Sequence, residues 1–189
     1  GGPRAGIAAE ALAAVRERLE GGAGAGGGRA AAGPEDLAAL LKRRGDLSAE
    51  QLRKICGPDA DERIAAALSD RRIAAADIGG ERRYIARDEV EVYERFPGDP
   101  GAAAFVLNRY IENVVAFTAQ ELSGRFGLAP GDAEAKIAAW EAEGRIERPP
   151  FAEPGSGYWS SRRVVARIVR LSLATVRSAE GPVPPERWQ

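Results

Sequence analysis

One pattern restricts this chain more than any other: a repeat with a period of about seventy residues, legible at two levels. LSAEQLRKICG (47–57) lines up with FTAQELSGRFG (117–127), and ADERIAAALSDRRI (60–73) with AEAKIAAWEAEGRI (133–146). Each copy is a short capped helix, a second helix, and then an Arg–Ile pair that opens a strand. Ser48 and Thr118 stand at the helix starts with Gln51 and Glu121 three residues on, the spacing of a capping box.

Reading outward from the repeat gives two units. In the first, Pro34 opens a helix with Glu35 and Asp36 in its first turn, where the helix dipole favours acids. Two more helices follow, then IAAADI and ERRYIAR joined by Gly79–Gly80 as a β-hairpin, then a closing helix capped by Asp88. In the second, AAFVLNRYIENVVA is a helix, Thr118 and Asp132 cap the next two, and RIERPPF returns through Gly155 and Gly157 to YWSS as a second hairpin. A long helix closes the unit. The expected fold class is mainly α with small β-hairpin wings (α+β), built as tandem winged-helix (helix-turn-helix) units. The divisions read as 34–97 and 98–180, hinged over Pro97–Pro100, with 181–189 starting a following segment. Residues 7–20 have helical spacing, and the glycine-rich stretch to 33 reads as a flexible linker.

Composition narrows the function. Lys and Arg number 27 against 28 Asp and Glu, for a net charge of −1, so a globally basic nucleic-acid binder is excluded and only local basic surfaces remain. Histidine is absent, which removes Ser-His-Asp and Cys-His catalysis and His-ligated metal sites. The glycines at 21–28 lack the Lys-Ser/Thr of a phosphate-binding loop. Cys56 ends an amphipathic helix and reads as a core residue, and the acids fall singly at caps and exposed faces. No catalytic residue and no metal ligand is nominated. A single cysteine fits a reducing compartment, and no apolar run approaches the ~20 residues of a membrane span, so the expected setting is cytoplasmic with no membrane partner. Methionine is missing even at position 1, so a piece of a longer protein, monomeric on its own, is expected.

Nucleic acid is the remaining candidate partner. In a helix-turn-helix unit the second helix lies in the major groove and the wing reaches the backbone or minor groove. That assigns Arg63 to the first groove helix (60–70) and Arg71, Arg72, Arg82 and Arg83 to its wing. The second groove helix (133–143) offers Lys136 but also Glu134, Glu141 and Glu143, a poor surface for phosphates. The final helix carries Arg162, Arg163, Arg167, Arg170 and Arg177, with no acid from 154 to 179. Four of these, Arg163, Arg167, Arg170 and Arg177, recur near one face and are candidates to track phosphates. Tyr158 and Trp159 are candidates to stack on a base. Each group has a plainer alternative: a solvated face, docking on an acidic neighbouring domain, or packing of the aromatics on their own domain.

The stretch from about Leu47 to Arg187 resembles the winged-helix region of the large helicase-related (Lhr) family of ATP-dependent helicases. FTAQELSGRFGL, WEAEGRIERPPF and PGSGYWSSRRVVARIVRLSLATVR carry the resemblance. The first unit is similar more weakly, through RRIAAADIGGERRYIARDEVEVYERF, and residues 1–33 add nothing. The resemblance implies a DNA-repair helicase whose motor lobes, with their ATP and Mg, lie upstream of this chain. Related winged-helix arrays occur in a bacterial DNA glycosylase family, but the Gln-x-Gln feature of those enzymes is missing, since Gln51, Gln120 and Gln189 are far apart. GYWSS stands where the helicase family more usually has a REWCD-like run. The leading expectation is a tandem winged-helix module of a helicase, binding duplex or single-stranded DNA without catalysis of its own. The alternatives are an interaction module docking on the motor lobes of the same parent chain, and a winged-helix transcription regulator.

Overall fold

The computed structural model describes Arg16 and residues 34–180, with side chains described for Arg16 and over 37–174. The helix read over 7–20, apart from the helical Arg16, lies outside the described residues, as do the linker and 181–189. Three helices open the described chain: α1 (Pro34–Arg44), α2 (Ala49–Cys56) and α3 (Ala60–Ser69). Strands β1 (Ile73–Ile78) and β2 (Glu81–Ala86) follow, and a 3-10 turn (Arg87–Glu89) leads into α4 (Val90–Arg95). The second set is α5 (Pro100–Glu112), α6 (Ala119–Phe126), α7 (Pro130–Ala142), β3 (Ile146–Glu147), β4 (Ser160–Ser161) and α8 (Arg162–Glu180). The fold is α+β winged helix.

The caps explain several of these boundaries. The Ser48 hydroxyl accepts from the Gln51 amide at 3.2 Å while the Gln51 side chain accepts from the Ser48 amide at 2.9 Å, closing the box. The Thr118 hydroxyl accepts from the Glu121 amide at 3.1 Å. Two expected caps are corrected. Asp132 lies inside the first turn of α7, which starts at Pro130 with Ala129 at the cap, because proline suits a helix start that needs no amide donor. Asp88 sits in the 3-10 turn and pairs with Lys42 instead of capping α4.

Each hairpin gains a third, one-residue strand that periodicity does not reveal. Leu47 bridges Tyr84 through a pair of backbone hydrogen bonds (2.7 and 3.2 Å), and Phe117 bridges Trp159 in the same way (2.8 and 2.9 Å). Both bridging residues immediately precede the helix cap, so the repeat extends into the sheet.

Two cores result. Leu37, Leu41, Leu47, Leu52, Ile64 and Ile73 fill the first. The second joins Val106, Ile111, Phe117, Leu122, Phe126 and Trp140 to Ile78, Ile85 and Tyr93 of the first unit. The β1–β2 hairpin therefore stands between them: Ile73 and Tyr84 pack on the first core, Ile78 and Ile85 on the second. Its tip is a tight turn with Gly79 at φ +62° and Gly80 at φ +80°, the left-handed pair a two-residue hairpin turn requires. A Cβ on Gly79 would lie 2.8 Å from the Arg125 carbonyl carbon, so the tip is seated on the end of α6. On α8, Val164 and Ile168 pack with Val115 and Phe151 in a smaller cluster.

Candidate nucleic-acid interface

The groove helices present little positive charge. On α3 the exposed positions are Asp61, Glu62, Ala65, Ala66 and Ser69. Arg63, expected to be exposed there, is half-buried, and its Nε and one terminal nitrogen are buried without an acceptor. On α7, Asp132, Glu134 and Glu141 are exposed, as is Glu143 just past its end, while Lys136 is half-buried with its ammonium 5.2 Å from the centre of the Trp140 ring. A helix facing solvent with this charge repels phosphate.

The first wing divides its arginines. Arg71, Arg72 and Arg82 are exposed. Arg83 is 3% exposed, which corrects its assignment as a phosphate contact. Its guanidinium donates to Asp46 Oδ2 at 3.0 Å and to Glu81 Oε1 at 2.8 Å. Strand alternation is the reason: Arg83 shares a face of β2 with Ile85, and that face meets the second core. Asp46, itself buried, also accepts from the Tyr93 hydroxyl (2.9 Å), and Arg125 reaches it from the second unit, donating to its carbonyl at 2.7 Å and its carboxylate at 3.2 Å. Burial and the Asp46 charge push the Tyr93 hydroxyl well above its ordinary value. From α5, Arg109 donates to the Lys42 carbonyl, the Glu89 carboxylate and the Tyr93 hydroxyl, so a second cross-link joins the units.

Arg71 stands out by its backbone. Its φ is +56°, the left-handed region, which costs a side-chain-bearing residue about 1 kcal/mol. The same place in the second unit is Gly144, at φ +71°. In both units the following arginine amide closes the helix end, Arg72 on Ala67 and Arg145 on Trp140, each at 2.9 Å.

The second wing is a long loop between two-residue strands. Trp159 is half-buried against the second core, and the Arg148 guanidinium lies 3.6 Å from the centre of its ring, so Trp159 is no free stacking platform, a correction to its expected role. Arg148 also donates to the Tyr158 carbonyl at 3.0 Å. Tyr158 itself is 36% exposed. Sequence reasoning missed Arg148 and Arg145, both exposed. The alignment of Arg145 with Arg72 in the repeat was the available signal for the latter.

Helix α8 keeps its arginines in solvent. Arg162, Arg163, Arg167 and Arg170 are exposed, while Val164, Val165 and Ile168 are buried. The nearest acid is Glu147, 3.7 Å from Arg162. The Arg177 side chain lies outside the described residues. Cys56 is buried, and burial pushes its thiol up, as a core residue requires. Among the described residues no group of His, Cys, Asp and Glu is arranged to hold a metal, and no helix is long and apolar enough to cross a membrane.

Residues 7–94 match the family model described as the large helicase-related protein winged-helix domain. No curated protein matches the chain. The match falls on the first unit, the more weakly similar of the two, and begins within the first 33 residues, to which the resemblance over Leu47–Arg187 does not extend. The charge and aromatic pattern over 117–177 lies outside it.

Proposed function

We propose, from the match of residues 7–94 to the winged-helix domain of large helicase-related proteins, that this chain is a DNA-holding module of an ATP-dependent DNA helicase acting in repair, with ATP and Mg bound by motor lobes elsewhere in the parent. The observation that carries the reading is the row of exposed arginines on α8, Arg163, Arg167 and Arg170, spaced along one side with no acid among them. Their spacing suits successive phosphates rather than base edges, so the binding is backbone-directed and tolerant of sequence. Arg71 and Arg72 extend the set, and Tyr158 adds a stacking surface for an unpaired base. The two groove helices stay out of the major groove because their exposed faces are acidic or neutral.

The test is a titration of the 189-residue chain with duplex and single-stranded DNA at low salt. Changing Arg163, Arg167 and Arg170 together to glutamate weakens binding by at least about a hundredfold and flattens the salt dependence by about two to three units of slope. Absence of binding by the unaltered chain, or unaltered affinity in the variant, sinks the reading. A second reading has its own observation. The exposed acids Asp132, Glu134 and Glu141 of α7, with Glu143 just past its end, suit a basic protein surface, so docking on the motor lobes of the same parent is the competing role. Reversing those four charges abolishes lobe binding if docking holds, and leaves it unchanged if it does not.

A further inference from the structure

Between the two units lies an open cleft of about 350 Å³, lined by Arg44, Gln51, Lys54, Tyr110, Asn113 and Arg125 along with two aliphatic side chains. Its lining contains three cations and no acid. Two acids stand near Arg125 and Lys54, and neither lines the cleft. Asp46 Oδ2 is shared between Arg83 (3.0 Å) and Arg125 (3.2 Å), and Glu50 stands 3.8 Å from the exposed Lys54 ammonium. The Arg125 guanidinium thus holds part of one carboxylate on one side, while its Nε is buried without an acceptor. The Gln51 carbonyl oxygen is taken by the Ser48 amide, which leaves its NH₂ as a donor. The walls come from α1, α2, α5 and α6, so the site exists only because the units dock.

We propose that this cleft binds a phosphate group, with Arg125 and Lys54 as its charged ligands and Gln51 as a neutral donor. Phosphate fits better than a planar carboxylate because the donors come from separate helices around a cavity rather than from one edge. The proposal goes beyond the α8 reading and does not rest on it: the phosphate is either a backbone diester or a free phosphate, and the arms of the test separate the two.

The probe is inorganic phosphate, and the readout is the side-chain NMR signal of Arg125 Nε–H in the intact chain. The expected result is a saturable shift of that signal, with the midpoint raised about tenfold in Lys54→Gln, the loss of one charge-assisted contact. Lys54 is exposed, so the variant keeps the fold, checked by an unchanged melting temperature. No saturable shift, or the same midpoint in Lys54→Gln, overturns the proposal. A short single-stranded oligonucleotide that shifts the same signal supports a backbone diester. One that leaves it in place while inorganic phosphate saturates supports a free phosphate. Repeating the titrations with the α8 triple variant distinguishes the two hypotheses: the cleft signal still responds to phosphate even if DNA affinity is lost.

Discussion

The two units are built on the same residues and finished differently. Leu47 and Phe117 bridge to Tyr84 and Trp159, Ser48 and Thr118 cap, and Gly57 and Gly127 end the same helix with positive φ. After that they part. The first has a hairpin of six-residue strands with a two-glycine tip, and the second has two-residue strands around a long loop. Where the first has Asp46 before its bridge, the second has Ala116; where the second has Gly144, the first has Arg71. The difference teaches that a wing has two uses. The first unit's wing has become a wall between cores, with one arginine turned inward to hold it, while the exposed cations have moved to its base and to α8.

The comparison can be broken most severely at Asp46. Asp46→Ala leaves Arg83 buried beside only a half-exposed Glu81, and removing one partner of such a pair costs about 3–5 kcal/mol by urea unfolding. A cost under about 1 kcal/mol would mean the network does not hold the units together. Next comes the seated tip. Gly79→Ala meets the Arg125 carbonyl and a left-handed backbone together, for about 3 kcal/mol, whereas Gly80→Ala faces open space and costs about 1 kcal/mol. Equal effects at the two glycines would show a free wing.

A smaller effect sharpens the contrast at the helix end. Arg71→Gly raises stability by about 1 kcal/mol while lowering DNA affinity, and Gly144→Ala lowers stability by a similar amount. Backbone strain tends to be kept where function needs it. If Arg71→Gly gains stability and loses no affinity, the strain has no such use. The smallest effect is a pH dependence. The fold favours the protonated Tyr93 hydroxyl, so its contribution is fully present below its ordinary value of 10.0 and is lost as the pH rises beyond that. Tyr93→Phe costs about 1 kcal/mol at neutral pH and flattens the alkaline limb of the stability profile.

Much of the fold was legible because it is locally encoded. Ser48 with Gln51, the Gly79–Gly80 pair and the valines of α8 each announce their element within a few residues. Arg83 was legible in principle, since it shares parity with the apolar Ile85 on its strand. The inter-unit contacts were not. Asp46 and Arg125 are far apart in sequence and carry no local signature, and nothing around Gly79 says that another helix end will rest on it. The same holds for Lys136 and Trp159, whose exposure depends on which ring or guanidinium lies across them.

The hairpin with a core on each face has a consequence for how this region responds to load. Loosening either half strips one side of β1 and β2, so neither half can melt as a separate step. Heat should take both apart in a single transition, with equal calorimetric and van't Hoff enthalpies. A push on the second core is therefore borne by the first through the shared hairpin instead of being taken up between them.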